Sequence, residues 1–329
     1  MDSYYLYLVC LVAGGIGAWV IAGLGSRFLL LDISNHRSSH EGVIPKGGGI
    51  GILAAFLFVV MFLKMPLAFW LSATVLALFS LLGDRIEISP KIRLPFQFIA
   101  AFSFLVLVAD LSHLTSVFFF PITLFFTLFI VATANWYNFM DGINGIASIT
   151  GIVGFGLLAV YNYIFGGESR FTVLSICIAL SCLGFLPFNF PNAKVFMGDV
   201  GSILLGFVFA TLVVMLSNSF LDFVCLAGFL FPFYADEIIT MSVRIKDGEN
   251  LLKAHRRHFY QILVNEMGIA HWKVSVGYGV LQLIVGLSIL FARSTGVLPV
   301  IIILGVFFAG FIWFLLLVPK LPSGMFFIY

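Results

Sequence analysis

Charge is what this sequence has least of. Aspartate, glutamate, lysine and arginine make up 10% of its 329 residues, while 61% are hydrophobic. A water-soluble chain of this length carries roughly a quarter charged residues, so a soluble domain is excluded. The balance of signs is also thin. A formal net charge of +2 is too small to attract nucleic acid. Cysteine is scarce, and Cys10, Cys177, Cys182 and Cys225 sit in apolar runs without ligand-like spacing. That excludes a disulfide framework or a cysteine-built metal site and leaves packed thiols. No Ser/Pro linker, low-complexity tract or internal repeat divides the chain, which reads as one domain over 1–329.

What is present is hydrocarbon. Apolar windows recur at roughly 4–24, 49–64, 67–83, 95–112, 117–135, 146–165, 171–188, 201–217, 221–239, 274–292 and 297–318. Each is near the length that crosses about 30 Å of bilayer core as a helix. None alternates with the period of two that barrel strands require. The expectation is an all-α, polytopic integral membrane protein with about 11 transmembrane helices, or 10 given how short the second and third windows are. The first window lacks a basic leader and a small-residue cleavage pattern, so it reads as a retained helix. With the N-terminus outside, only Lys64, Arg170 and Arg293 of the 17 basic residues face outward. This positive-inside bias predicts a periplasmic N-terminus and a cytoplasmic C-terminus.

Five polar islands then fall on the inner side, at 34–49, 83–85, 135–145, 188–202 and 235–261. Asp84, Asp141, Asp199, Asp236 and Glu237 each lie close to a span end. Such a rim of carboxylates without a Cys/His quartet suits a hard cation, Mg2+ where phosphates complete the shell. Gly47–Gly49, Gly142/Gly145 and Gly198/Gly201 sit beside helix starts, where bare backbone N–H groups favour phosphate oxygens. His255, Arg256, Arg257 and His258 supply complementary positive charge. His36 and His40 are further candidates, whereas Asp222, an isolated carboxylate among those scattered on the outer side, reads as a helix cap. Trp136, Tyr137, Phe139 and Tyr260 read as an interfacial aromatic belt. The cytoplasmic loop 240–273 includes LLKAHRRHFYQIL, which could lie on the membrane surface as an amphipathic helix.

NFMDGINGIA (138–147), FNFPNAKVFMGDVGS (188–202), AHRRHFYQ (254–261) and the first-loop stretch DISNHRSSHEGVIPKGGGIGI form a pattern. Over about 30–261 the chain resembles the polyprenyl-phosphate N-acetylhexosamine-1-phosphate transferases, the bacterial glycosyltransferase family 4 enzymes of the O-antigen-initiating type. The resemblance implies attack of undecaprenyl phosphate on the beta-phosphorus of a UDP-N-acetylhexosamine (GlcNAc or a related deoxy sugar). The products are UMP and the first lipid-linked intermediate of O-antigen or another surface polysaccharide. It further implies Mg2+ or Mn2+ held by Asp199 with Asp141, and catalytic roles for Asp84, Asp141, Asp199, His255 and His258. Substrate contacts fall to Lys46, Asn138, Asn144, Asn189 and Arg256. The implied setting is the bacterial inner membrane with the site on its cytoplasmic face, with the lipid bilayer as surroundings and a homodimer by analogy. Two positions depart from the family pattern. Gly83 stands where the family has the first Asp of an Asp–Asp pair, and Asn144 where it has a second Asp after Asp141. A membrane transporter, or an inactive scaffold that kept the fold, are the alternatives the residues leave open.

Overall fold

A computed structural model of the chain describes residues 3–33, 42–86, 88–108, 116–251 and 255–317. His36 and His40 lie outside the described residues. The helices, in chain order, are α1 (Ser3–Leu24), α2 (Ile50–Phe62), α3 (Leu67–Arg85), α4 (Pro90–Leu107), α5 (Ser116–Phe139), α6 (Ile146–Ile164) and α7 (Ser169–Asn189). They continue as α8 (Asp199–Leu216), α9 (Phe220–Gly228), α10 (Phe231–Lys246), α11 (Phe259–Asn265), α12 (His271–Ala292) and α13 (Val297–Leu316). One feature is not helical. Strands β1 (Leu31–Ile33) and β2 (Val43–Pro45) pair antiparallel, with Asp32 opposite Ile44.

Among the described residues nine helices are long and apolar enough to cross a membrane, or ten if α9 and α10, which meet at a bend of 86°, are counted as one broken span. Of the eleven apolar windows, the second is the one whose helix, α2, is too short to span. At 13 residues it reaches only about 20 Å at 1.5 Å per residue. The glycine turn before it and the left-handed Lys64 (φ +51°) after it use up the remainder of that apolar window. The window at 221–239 is not one straight helix either. Gly228 ends α9, and Pro232, which has no N–H to donate, sits in the first turn of α10. In the stretch 240–273, α10 runs on to Lys246, residues 255–258 are not helical, and helix resumes only at Phe259. In the LLKAHRRHFYQIL stretch the helix described is α11, whose first five residues, Phe259 to Leu263, are buried.

The core is organised around α8, nearly all of whose residues are buried. It packs on α3 and α5, while α1 packs on α2 and α7, and α6 on α7 and α12. Apolar side chains that face outward, such as Phe102, Phe125, Ile284 and Trp313, are the surface a bilayer would cover. All four cysteines are buried and free.

The first polar island docks directly onto the fourth. Phe196 N–H donates to Pro45 O at 2.8 Å, Gly48 N–H to Phe196 O at 3.0 Å and Gly49 N–H to Met197 O at 2.9 Å. Gly49 can have no side chain here, because a Cβ would lie 2.5 Å from the Gly201 Cα. This close approach carries Lys46 to the start of α8.

Candidate active site at the start of helix α8

Asp199 is the first residue of α8, and three other elements converge on it. Arg93, in the first turn of α4, forms an ion pair with its carboxylate. Asn138, at the end of α5, donates to Asp199 Oδ1 at 2.8 Å and to Ser202 Oγ at 2.8 Å. One turn along α4, Gln97 and Asn135 exchange amide hydrogen bonds at 3.2 and 2.5 Å. That exchange fixes α4 on α5, and with it Arg93 beside Asn138.

Asp84, buried at the end of α3, accepts from the backbone N–H groups of Asp199 at 3.2 Å and Val200 at 3.3 Å. It is a helix cap supplied from another helix, and it satisfies donors that α8 cannot satisfy itself. Gly198 makes this possible. Its φ of +73° is left-handed, and a Cβ there would sit 2.7 Å from Asp84 Oδ2. The charge of Lys46 reaches Asp84 as well.

Asp141 lies in the turn between α5 and α6. Burial, and then the nearby charges of Asp199 and Asp84, hold its carboxyl well above the usual carboxylate range. The three aspartates therefore repel one another across one small region, an arrangement that like-charged groups sustain only when a cation or bound protons compensate.

Asn189 and Asn144 are braces in this geometry. Asn189 accepts from Gly145 N–H at 2.7 Å and donates to Val195 O at 2.9 Å, tying the Asp141 turn to the segment before α8. Asn144 donates its side-chain amide to Pro191 O at 3.0 Å, and its carbonyl accepts from Ser275 Oγ of α12 at 2.8 Å.

The histidine segment is joined to the same turn. Tyr260 donates to Phe139 O at 2.9 Å, and its hydroxyl packs so closely on Gly142 that a Cβ there would meet it at 2.2 Å. His255, Arg256 and Arg257 are half-buried, while His258 is only 2% exposed.

The acidic donors are hard oxygens with no thiol or imidazole among them. Among the described residues, no three His, Cys, Asp or Glu side chains converge closely enough to enclose a metal by themselves. That donor chemistry fits Mg2+, which takes one or two carboxylates and completes its shell with water and phosphate oxygens. It does not fit a prebuilt protein cage.

Arg93 was legible only as one more basic residue on the expected inner side, since no spacing relates position 93 to position 199. Ser202 and Tyr260 carry no sequence signal for their contacts. At Gly83 a Cβ would meet only Ile88 Cδ1, at 3.9 Å. The loss of a second carboxylate beside Asp84 is thus not forced by packing.

Comparison with known proteins places part of this region in a family match. The model of the family described as glycosyl transferase family 4 matches residues 66–217. That match takes in Asp84, Arg93, Asn138, Asp141 and Asp199. Phospho-N-acetylmuramoyl-pentapeptide-transferases from Staphylococcus aureus strains JH9, Newman and JH1 are each 33% identical to the chain over 172 residues. The matched region is 51% of this chain and 52% of each relative, so the chain spans about half the length of the curated relatives it matches. The residues that converge on Asp199 thus lie in or beside a region, 66–217, that matches glycosyl transferase family 4.

Proposed function

We propose that this protein transfers N-acetylhexosamine 1-phosphate from a UDP-sugar to undecaprenyl phosphate at the inner face of a bacterial membrane. The observation that carries this reading is the gathering of Asp84, Asp141 and Asp199 with Arg93 and Lys46 at the ends of apolar helices. Hydrocarbon tolerates such groups where they serve a polar ligand. A phosphate on a lipid anchor reaches this depth without its tail leaving the bilayer. Among the described residues no carboxylate-rich region of this kind recurs at the other end of α6 and α8.

In the reaction, an oxygen of the lipid phosphate forms a bond to the beta-phosphorus. The bond from that phosphorus to the bridging oxygen breaks, and its electron pair leaves with UMP. The lipid phosphate has a second pKa of about 6, so it needs little help in losing a proton. The larger barrier is repulsion between two anions. Asp199 and Asp141 would hold Mg2+, which when bound offsets charge on the diphosphate. Arg93, Lys46 and Arg256 add fixed positive charge, and Arg93 can exchange its carboxylate partner for a phosphate oxygen. Asp84 keeps the first turn of α8, and so Asp199, in place. His255 offers a hydrogen-bond donor to the diphosphate.

The test is incubation of the purified chain with undecaprenyl phosphate, Mg2+ and a panel of UDP-N-acetylhexosamines, followed by mass analysis of the lipid fraction. The expected result is a lipid diphosphate sugar formed in equal amount to UMP, with one sugar preferred. UMP released without a lipid product, or no product from any donor, overturns the reading.

A further inference from the structure

Helix α10 buries two adjacent carboxylates that the reaction above does not use. Asp236 is 1% exposed and Glu237 is not exposed at all. Asp236 is fully engaged. It accepts from the backbone N–H of Phe259 at 2.8 Å and of Tyr260 at 3.2 Å, from the Tyr278 hydroxyl at 2.6 Å and from Thr240 Oγ1 at 3.1 Å. Glu237 is the opposite case, since neither of its oxygens has a hydrogen-bond partner.

A buried, unbonded carboxylate is costly unless a positive charge faces it. The charge of Arg244 reaches it, and in contact with it is His258, whose Nε2 lies 3.6 Å from Glu237 Oε1 and whose Nδ1 lies 3.6 Å from Asp236 Oδ1. The imidazole is held between two acids. Burial opposes its charging, but the Asp236 and Glu237 carboxylates raise it above its ordinary value.

His255 lies next to this sandwich, its ring centroid 4.6 Å from that of His258. Its Nδ1 accepts the Arg257 N–H at 3.4 Å, which leaves the proton on Nε2. Burial, and then the charge on His258, push its pKa down to about 3.

We propose that Asp236 and Glu237 are positioning residues that keep His258 as a fixed buried cation, leaving His255 as the uncharged histidine that donates Nε2–H to the donor diphosphate. This rests on the transfer reaction proposed above. The two histidines have different work: one is wall, the other is reagent. The charged and titratable groups facing them are Asp236, Glu237 and Arg244 from α10, Arg257 from their own segment and Tyr260 from α11, with Tyr278 of α12 reaching them through its bond to Asp236.

The experiment uses the full chain in lipid nanodiscs with isotope-labelled histidine, His255 and His258 being assigned through H255Q and H258Q. In the unaltered protein, His258 is expected to stay an imidazolium at neutral pH while His255 stays neutral well below it. E237Q keeps the volume and breaks no hydrogen bond. It should lower the His258 midpoint by at least a pH unit and raise that of His255.

In turnover, E237Q should reduce kcat about tenfold, with the KM for the UDP-sugar within twofold. In an H258Q background it should cost nothing further, because it acts through His258. A neutral His258 near pH 7, titrations unmoved by E237Q, or multiplying losses in the double variant overturn the proposal. The titration needs no substrate, so it decides the clamp even if the transfer reading fails.

Discussion

Two charged clusters sit at opposite ends of the same helices, and they differ in how their charge is answered. One surrounds Asp199 at the start of α8. The other lies about 22 Å away along α6, at 1.5 Å per residue from Ile146 to Tyr161. There Asp222 accepts from the Tyr161 hydroxyl at 2.5 Å, the Ser219 hydroxyl at 2.8 Å and the Asn218 N–H at 3.3 Å, and pairs with Arg293 at 2.8 Å. The Arg293 guanidinium also lies over the Phe165 ring, 4.0 Å from its centroid. A cavity of about 250 Å³ opens beside them, yet each charge already has its complement. At the α8 end three acids press on one another, and among the described residues the positive charge adjoining Asp84 and Asp199 comes from Lys46 and Arg93. A buried charge therefore does not mark a site. Uncompensated charge of one sign does.

The sharpest way to break that comparison is to neutralise one acid at each end. D199N should lower turnover at least a hundredfold at saturating Mg2+, the scale on which loss of a transition-state charge contact is felt. D222N should leave turnover within twofold. Rates of lipid-diphosphate formation decide it, and a D222N enzyme as dead as D199N would erase the distinction.

Stability should run the other way. D222N removes the charge that Arg293 pairs with and puts an amide NH2 where Asp222 Oδ2 accepts from the Ser219 hydroxyl and the Asn218 N–H, a loss of about 1–3 kcal/mol at a largely buried position, read as a lower Tm in detergent. D199N removes one of three repelling acids, so without divalent ions it should leave Tm unchanged or raise it.

Asp141 gives the comparison a pH axis. Burial and the charges of Asp199 and Asp84 raise its carboxyl, so the folded chain binds this proton more tightly than the unfolded chain does. Stability in EDTA should therefore be highest at low pH. It should fall as pH climbs above the ordinary value of 3.8 toward the raised one, by at most about 1.4 kcal/mol per pH unit. D141N should flatten that slope, and Mg2+ should reverse it by favouring the ionised form. Thermal scans across pH, with and without Mg2+, read both effects.

Much of this was open to reading in the sequence, for identifiable reasons. Scarce charge and long apolar windows indicate membrane helices whatever the tertiary fold. The short spacing of Asn138, Asp141 and Gly145 shows a turn built for contact, and Ser219 three residues before Asp222 shows a cap. Other features depend on distances that sequence spacing does not encode. Asp84 reads as a free carboxylate until α3 and α8 are side by side, where it closes the N-terminus of α8. Asn189 reads as a nucleotide contact until the Asp141 turn folds against it and takes up its amide. The bend after Gly228 is hidden because the apolar run continues across it. His255 and His258 look equivalent three residues apart, and only the acids of α10 separate them.

The smallest predicted effect is a control on the reasoning about burial. Glu168 and Arg170 lie near the Asp222 end and form an ion pair at 2.7 Å, shorter than the Arg293–Asp222 pair. Distance alone would rank it as the stronger contact. Yet the side chains of Arg170 and Glu168 are 37% and 63% exposed, against 26% and 7% for Arg293 and Asp222. Water solvates the separated ions almost as well as they solvate each other. A double-mutant cycle through E168Q and R170M should return a coupling of about 0–1 kcal/mol that shrinks further with added salt. The matching cycle through D222N and R293M should give a larger coupling that salt barely moves. Equal couplings would mean that contact distance, not solvent exclusion, sets the worth of a charge pair at this end of the molecule.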